Sequence, residues 1–172
     1  MANTFELISA VTVGSGGASS IDFTSIPSTY TDLVLKASVR STLSGNIGNL
    51  IVTVNGGTTN GSKRSVIGTG SAASSVSDTP IYAEVLTQAG ATASTFSNVE
   101  IYIPNYASSS THKSLSIDGV SENNATQSYA SLSAGLYASN TAITSLGIQP
   151  NGSPTYLFTQ YSTAYLYGVK NA

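Results

Sequence analysis

Hydrophobic and polar positions alternate along much of this chain with a period of two, the signature of strands that bury one face and wet the other. From Asp32 to Val39, the apolar set Leu33, Leu35, Ala37 and Val39 interleaves with Asp32, Val34, Lys36 and Ser38. From Asn98 onward, Val99, Ile101 and Ile103 oppose Asn98, Glu100 and Tyr102. Apolar residues seldom recur at the three-and-four spacing of a helix, and Gly, Ser, Thr or Asn interrupts nearly every stretch long enough to form one. Further strands are predicted over Phe5–Val13, Ser20–Phe23, Asn49–Val54, Arg64–Ile67, Ile81–Leu86, Lys113–Val120, Gln127–Tyr137, Ala142–Ile148 and Ala164–Val169.

Turn signals separate these runs. Gly14-Ser15-Gly16-Gly17, Asn55-Gly56-Gly57, Asn60-Gly61, Ala89-Gly90 and Asn151-Gly152 offer residues that tolerate the positive φ of tight turns, and the first of them reads as a hairpin. Pro27, Pro80, Pro104, Pro150 and Pro154 fall at the predicted strand ends, where a missing N–H breaks no ladder. Ser71–Ser77, a run of small residues, reads as a surface loop. About 8 to 11 short strands with no intervening helix describe an all-β antiparallel sandwich, and a jelly-roll-like arrangement is the first expectation. The whole chain, 1–172, is expected to form one such domain, with the N-terminal segment as an arm that contacts partners.

Composition sharpens the picture at one point. Only 8% of residues are charged, against roughly a quarter in an average soluble domain, while Ser and Thr make up roughly three residues in ten. Hydroxyl side chains keep a surface wet without long flexible ions, and they cost little desolvation or rotamer entropy when a contact covers them. That suits repeated packing between copies. A net charge of −2 speaks against nucleic acid and anionic membranes as partners, since both demand clustered Lys and Arg. No cysteine is present, so neither disulfides nor thiolate metal sites contribute. The opening MANTFELISAVTV has no basic stretch ahead of its apolar residues, and no window reaches the length of a membrane-spanning helix, so neither a signal peptide nor an anchor is expected.

Candidate chemistry is sparse. His112 is the sole histidine and sits in the polar run Ser109-Ser110-Thr111-His112-Lys113, beside a lysine that would lower its basicity, and no G-x-S-x-G elbow accompanies it. The acids Glu6, Asp22, Asp32, Asp78, Glu84, Glu100, Asp118 and Glu122 are scattered, and only Asp118 and Glu122 fall close enough to share a strand face. Two carboxylates without a third ligand or an aromatic platform specify neither glycoside hydrolysis nor calcium, and edge charges that discourage strand pairing are the plainer account. The glycines at 14, 16 and 17 lead into a strand rather than a helix, so they form no phosphate cradle. Sequons at Asn60, Asn124 and Asn151 are what a Ser-, Thr- and Asn-rich chain yields by chance. No catalytic residue, cofactor or metal ligand is therefore assigned, and the chain reads as non-enzymatic. Ten tyrosines and no tryptophan leave Tyr102, Tyr106, Tyr129 and Tyr137 open to two readings, a sugar-binding surface or a subunit seam.

Three segments carry a resemblance. They are Ile21-Asp22-Phe23 through Ile26-Pro27 and Tyr30-Thr31-Asp32-Leu33 to Arg40; Val99 to Ile103 with Pro104-Asn105-Tyr106; and Ala142-Ile143-Thr144 onward to Ala164 through Lys170. In order and spacing they resemble the small structural proteins of tailed bacteriophages. The resemblance implies a virion component with a jelly-roll core, commonly a homotrimer: a capsid decoration or cement protein, a head fibre, or part of a tail fibre. It implies the major capsid protein as the partner and the outer surface of the capsid as the location. The alternative it leaves open is a tail-fibre or receptor-binding module that recognises a host-surface glycan. It carries over framework only, with Phe23 and Leu33–Val39 as core strands, Ile26-Pro27 as a turn and Tyr165–Val169 as the closing strand.

Overall fold

The computed structural model describes residues 4–124, 127–152 and 155–170, and every regular element among them is a β-strand. Twelve strands follow one another: β1 (Phe5–Thr12), β2 (Ile21–Phe23), β3 (Asp32–Val39), β4 (Ile47–Val54), β5 (Gly61–Gly68), β6 (Ala73–Asp78), β7 (Tyr82–Thr87), β8 (Ser97–Pro104), β9 (Lys113–Ser121), β10 (Tyr129–Tyr137), β11 (Leu146–Pro150) and β12 (Thr163–Val169). Eight pair antiparallel in the order β1-β12-β3-β8-β9-β10-β5-β6, and four in the order β2-β11-β4-β7. The fold is an antiparallel β-sandwich of unequal sheets.

Strict alternation sets which residues the sheets enclose. In β8, Ser97, Val99, Ile101 and Ile103 point inward while Asn98, Glu100 and Tyr102 point out. In β3, Leu33, Leu35, Ala37 and Val39 join them, and from the smaller sheet Ile21, Phe23, Leu50, Val52, Val54, Leu146 and Ile148 close the core. All six residues of β7 are buried, because that strand packs across β9, β10 and β5 as well as pairing with β4. Polar residues enter this interior too. Thr87 Oγ1 and Ser121 Oγ lie 2.7 Å apart across the sheets, and Ser97 Oγ donates to Thr87 Oγ1 at 2.9 Å. Part of the Ser/Thr excess thus serves the core, where Thr87, Ser97 and Ser121 satisfy one another.

Four expectations need correction. Ser71–Ser77 is not a loop: Ala73–Asp78 forms β6, the outer edge of the larger sheet. Five of its six residues are exposed and the sixth is half-buried, so no apolar alternation marks it. The turn at Gly14–Gly17 is tight, with the Gly17 N–H donating to the Gly14 carbonyl at 3.1 Å and Gly17 at φ +72°. It is no hairpin, however, since it passes the chain from β1 in one sheet to β2 in the other.

Residues 142–145 are extended without being a strand. The side chain of Asn55, itself at φ +50°, donates to the Ala142 carbonyl at 2.9 Å and accepts from the Thr144 and Ser145 N–H groups at 2.8 and 3.2 Å. One amide side chain substitutes there for a ladder partner. Pro104 and Pro150 end β8 and β11, and Pro80 lies between β6 and β7 after a cis Thr79–Pro80 bond. Pro27, by contrast, belongs to the loop between β2 and β3, and Pro154 lies outside the described residues, as do parts of the Asn124 and Asn151 sequons.

Candidate functional site

Outward positions of the larger sheet form ordered rows across its strands. One row runs Lys36, Glu100, Asp118, Leu132, Val66 and Ser75, through the pairs Lys36↔Glu100, Glu100↔Asp118, Asp118↔Leu132, Leu132↔Val66 and Val66↔Ser75. The adjacent row runs Asn98, Val120, Ala130, Gly68 and Ala73. Small residues in the second row, beside larger ones in the first, leave a groove. Three adjoining depressions trace it, about 310 Å³ over Lys36, Glu100, Asp118 and Val120, about 310 Å³ between Val66, Leu132 and Val120, and about 330 Å³ reaching Glu122 and Tyr129.

This face is apolar for a solvent surface. Val66 is 59%, Leu132 57% and Val120 44% exposed, and cross-strand partners bring the first two together. Leu136, on the same face of β10, is exposed as well. Contiguous exposed apolar groups of this kind mark surfaces that pack against something. Charge enters at one end, where Lys36 Nζ pairs with Glu100 Oε2 at 2.7 Å with both groups about half exposed; such a pair is worth roughly 0–1 kcal/mol.

An open edge adds to this face. β1 bonds only to β12, breaks its register between Leu7 and Ser9, and leaves Phe5 and Leu7 more than half exposed. The Phe5 ring meets Tyr167 edge-on, 6.5 Å between centroids, but among the described residues no second layer covers it. Soluble proteins usually blunt such edges with charge, proline or a covering loop. Here Glu6, paired with Lys170 at 2.9 Å, is the one charged residue of the strand.

Buried cations form a second group of features. The Arg40 guanidinium donates to the carbonyls of Thr92, Thr95, Ala89 and Ala91 and to Thr95 Oγ1, at 2.8–3.2 Å, and burial lowers its pKa. Lys113, fully buried at the start of β9, donates to the carbonyls of Ser139 and Thr141 at 3.2 and 2.8 Å, and burial lowers its pKa too. Lys63 of β5 pairs with Glu84 of β7 inside the sandwich. Its amine donates to Ser65 Oγ at 2.8 Å and lies 3.6 Å from the Tyr82 ring centroid. Burial pushes it down to about 8. Ser131 Oγ donates to the other Glu84 oxygen at 3.1 Å, and the Tyr82 hydroxyl donates to Asp78 at 2.6 Å.

The residues singled out in the sequence distribute unevenly over these features. His112 is exposed in the loop before β9. Asp118 and Glu122 do share the outer face and both line the groove, in adjoining depressions; Glu122 Oε1 is taken by the Asn124 N–H at 2.6 Å. Among the described residues no cluster of three His, Asp or Glu side chains could hold a metal ion. The four tyrosines do not form one surface. Tyr106 and Tyr137 are buried, Tyr129 is half-buried at the groove's end, and only Tyr102 is exposed.

The three segments that carry the resemblance do converge, at one end of the sandwich. The Tyr106 hydroxyl donates to the Pro27 carbonyl, and the Tyr106 carbonyl accepts from Ile143 N–H at 2.9 Å. Asp32 accepts from the Tyr102 hydroxyl at 2.9 Å and from Asn105 N–H at 3.0 Å. Ile26 N–H donates to the Thr144 carbonyl at 2.9 Å. These hydrogen bonds make the residues framework in the structure.

Comparison with family models, with curated proteins and with solved structures finds no match to this chain. What the structure itself offers toward a function is the groove, the open edge and the buried cations.

Proposed function

We propose that this chain is a structural assembly module of a tailed-phage virion, a decoration or cement protein on the outer surface of the capsid that acts as a homotrimer and clamps neighbouring copies of the major capsid protein. The observation that carries the assembly half is the apolar outer face of the larger sheet, where Val66, Leu132 and Val120 stand exposed around a groove. The virion half rests on the sequence resemblance. A bare apolar edge at β1 supplies a second contact surface by which N-terminal residues add to a neighbour's sheet or loops. Low charge lets both surfaces be covered without stranding ions, and hundreds of weak identical contacts on a shell act through avidity. A three-fold arrangement matches the local symmetry of a shell.

Cryo-electron microscopy of the intact particle tests this directly. Strand-resolved density for the chain over the shell, together with earlier failure on heating of particles that lack it, is the expected result. Density confined to the tail, or equal heat resistance with and without the chain, overturns the reading.

A receptor-binding tail module is the second reading, and one observation favours it. Tyr161 is 70% exposed yet holds φ +72°, a conformation that bulky residues rarely keep without a local reason. Its N–H is tied to the Val13 carbonyl at 3.0 Å, which holds the backbone that carries the exposed ring. Binding of the purified chain to host cells, lost in Tyr161→Ala, would move the assignment to the tail.

A further inference from the structure

Lys63 and Glu84 come from opposite layers: β5 is next to the outer edge of the larger sheet, and β7 is the outermost strand of the smaller one. Their side chains are 0% and 10% exposed, whereas the other two ion pairs among the described residues are about half exposed. Lys63 Nζ lies against Glu84 Oε1, yet that buried oxygen accepts no hydrogen bond. A simple ion pair would aim an N–H along an oxygen lone pair. Here the nitrogen touches the carboxyl group outside hydrogen-bonding geometry, in contact with the acid it would have to attack.

The surroundings suit that approach. Water is excluded, so proton transfer from ammonium to carboxylate, which cancels two buried charges, is favoured over its equilibrium in water. Burial leaves Lys63 near pKa 8, so roughly a tenth of the amine is neutral at pH 7. Ser131 Oγ donates to Glu84 Oε2 at 3.1 Å, in place to support negative charge on that oxygen as the carbon becomes tetrahedral. Ser65 Oγ accepts from the amine at 2.8 Å and lies 2.9 Å from Ser133 Oγ, a hydroxyl path for the proton the amine must shed. The Tyr82 ring, 3.6 Å from the nitrogen and anchored through its hydroxyl to Asp78, blocks another flank. Two reactants fixed in contact by the fold gain the rate advantage of an intramolecular reaction.

We propose that Lys63 and Glu84 condense spontaneously to an isopeptide bond that joins the two sheets. The neutral amine's lone pair forms the bond to Glu84 Cδ. The carbon then releases the hydroxyl that carried the acid proton, and this hydroxyl takes one amine proton and leaves as water. Amine plus acid becomes amide plus one water, with no oxidant, cofactor or second protein. In a chain without cysteine, this supplies the covalent staple that disulfides give other β-sandwiches. The inference is independent of the virion reading.

Intact-mass spectrometry of the denatured full-length chain decides it. The wild type should weigh one water less than its sequence, and peptide mapping should recover one branched peptide joining the Lys63 and Glu84 segments. Lys63→Arg and Glu84→Ala should each restore the sequence mass. A wild-type chain at full sequence mass overturns the proposal, and so does a water loss that maps elsewhere while the Lys63 and Glu84 peptides remain linear. Because the decisive reading is on the wild type, it stands even if neither variant folds.

Discussion

Replacing Arg40 with Ala would remove the cation that organises residues 88–96, the connection between β7 and β8. Its guanidinium makes five hydrogen bonds, four of them to carbonyls of that loop, and Arg40 itself is 9% exposed. Hydrogen bonds from a charged donor are worth about 1.5–3 kcal/mol each before the donor's own desolvation is subtracted. That subtraction is large, since no carboxylate is among its hydrogen-bond partners and burial lowers its pKa. Water refilling the site also recovers part of the loss. A net cost of about 3 kcal/mol follows, which for a chain of this size lowers Tm by about 6–12 °C. Arg40→Lys should recover less than half, because an ammonium cannot fork across four carbonyls. Thermal denaturation of the three proteins, with hydrogen exchange over 88–96, measures both effects. A Tm for Arg40→Ala within about 2 °C of wild type, with unchanged exchange in the loop, would refute the idea that the guanidinium holds it.

Three further outcomes follow from the same structure. Tyr106→Phe removes only the hydroxyl bonded to the Pro27 carbonyl and should cost about 1–2 kcal/mol in urea denaturation, with the slope unchanged. Lys113→Met strands the carbonyls of Ser139 and Thr141 at a cost of about 1–3 kcal/mol. It should also alter the pH dependence. Burial holds the folded Lys113 amine below its ordinary 10.5, so the unfolded chain binds more protons between the two values. Stability of the wild type should then rise relative to the variant as pH climbs toward 10.5, as denaturation midpoints would show. Val66→Ser with Leu132→Ser alters only exposed groups, and should leave monomer stability within about 0.5 kcal/mol while weakening attachment to the particle in a sedimentation assay.

How far the sequence exposed this molecule depends on whether a strand has one covered face. β3 and β8 were legible because Leu33, Leu35, Ala37 and Val39, and Val99, Ile101 and Ile103, recur with period two, although Asp32 and Val34 on the other face of β3 are buried as well. β6 was not, because an edge strand with neither face covered needs no apolar alternation, and its run Ala-Ser-Ser-Val-Ser-Asp reads as a loop of small residues. The N-terminal segment, expected as an arm, lies in the structure on the paired strand β1, with Phe5 and Leu7 exposed. The groove could not be read from single strands at all, since it depends on Ala130, Gly68 and Val120 falling in one row across three of them.

Lys63 and Glu84 were missed for the same reason. A signal did exist: Glu84 stands in the middle of the apolar run Ile81–Leu86, where an acid must either break the strand or find a buried cation. Naming that cation required knowing that β7 crosses over β5.

The position of β12 has a consequence for how the chain is made. β12 lies between β1 and β3, so during synthesis β1 has no strand neighbour until β12 has emerged from the ribosome. During synthesis β1 must wait, its backbone donors and acceptors unpaired and Phe5 and Leu7 bare. The larger sheet can complete itself only after β12 has been made. Long-range pairing of this kind slows folding and leaves nascent chains open to pairing with one another. Release of a chain short of residue 163 would leave β1 without its strand partner, which makes β12 the element whose loss should most expose the molecule to aggregation.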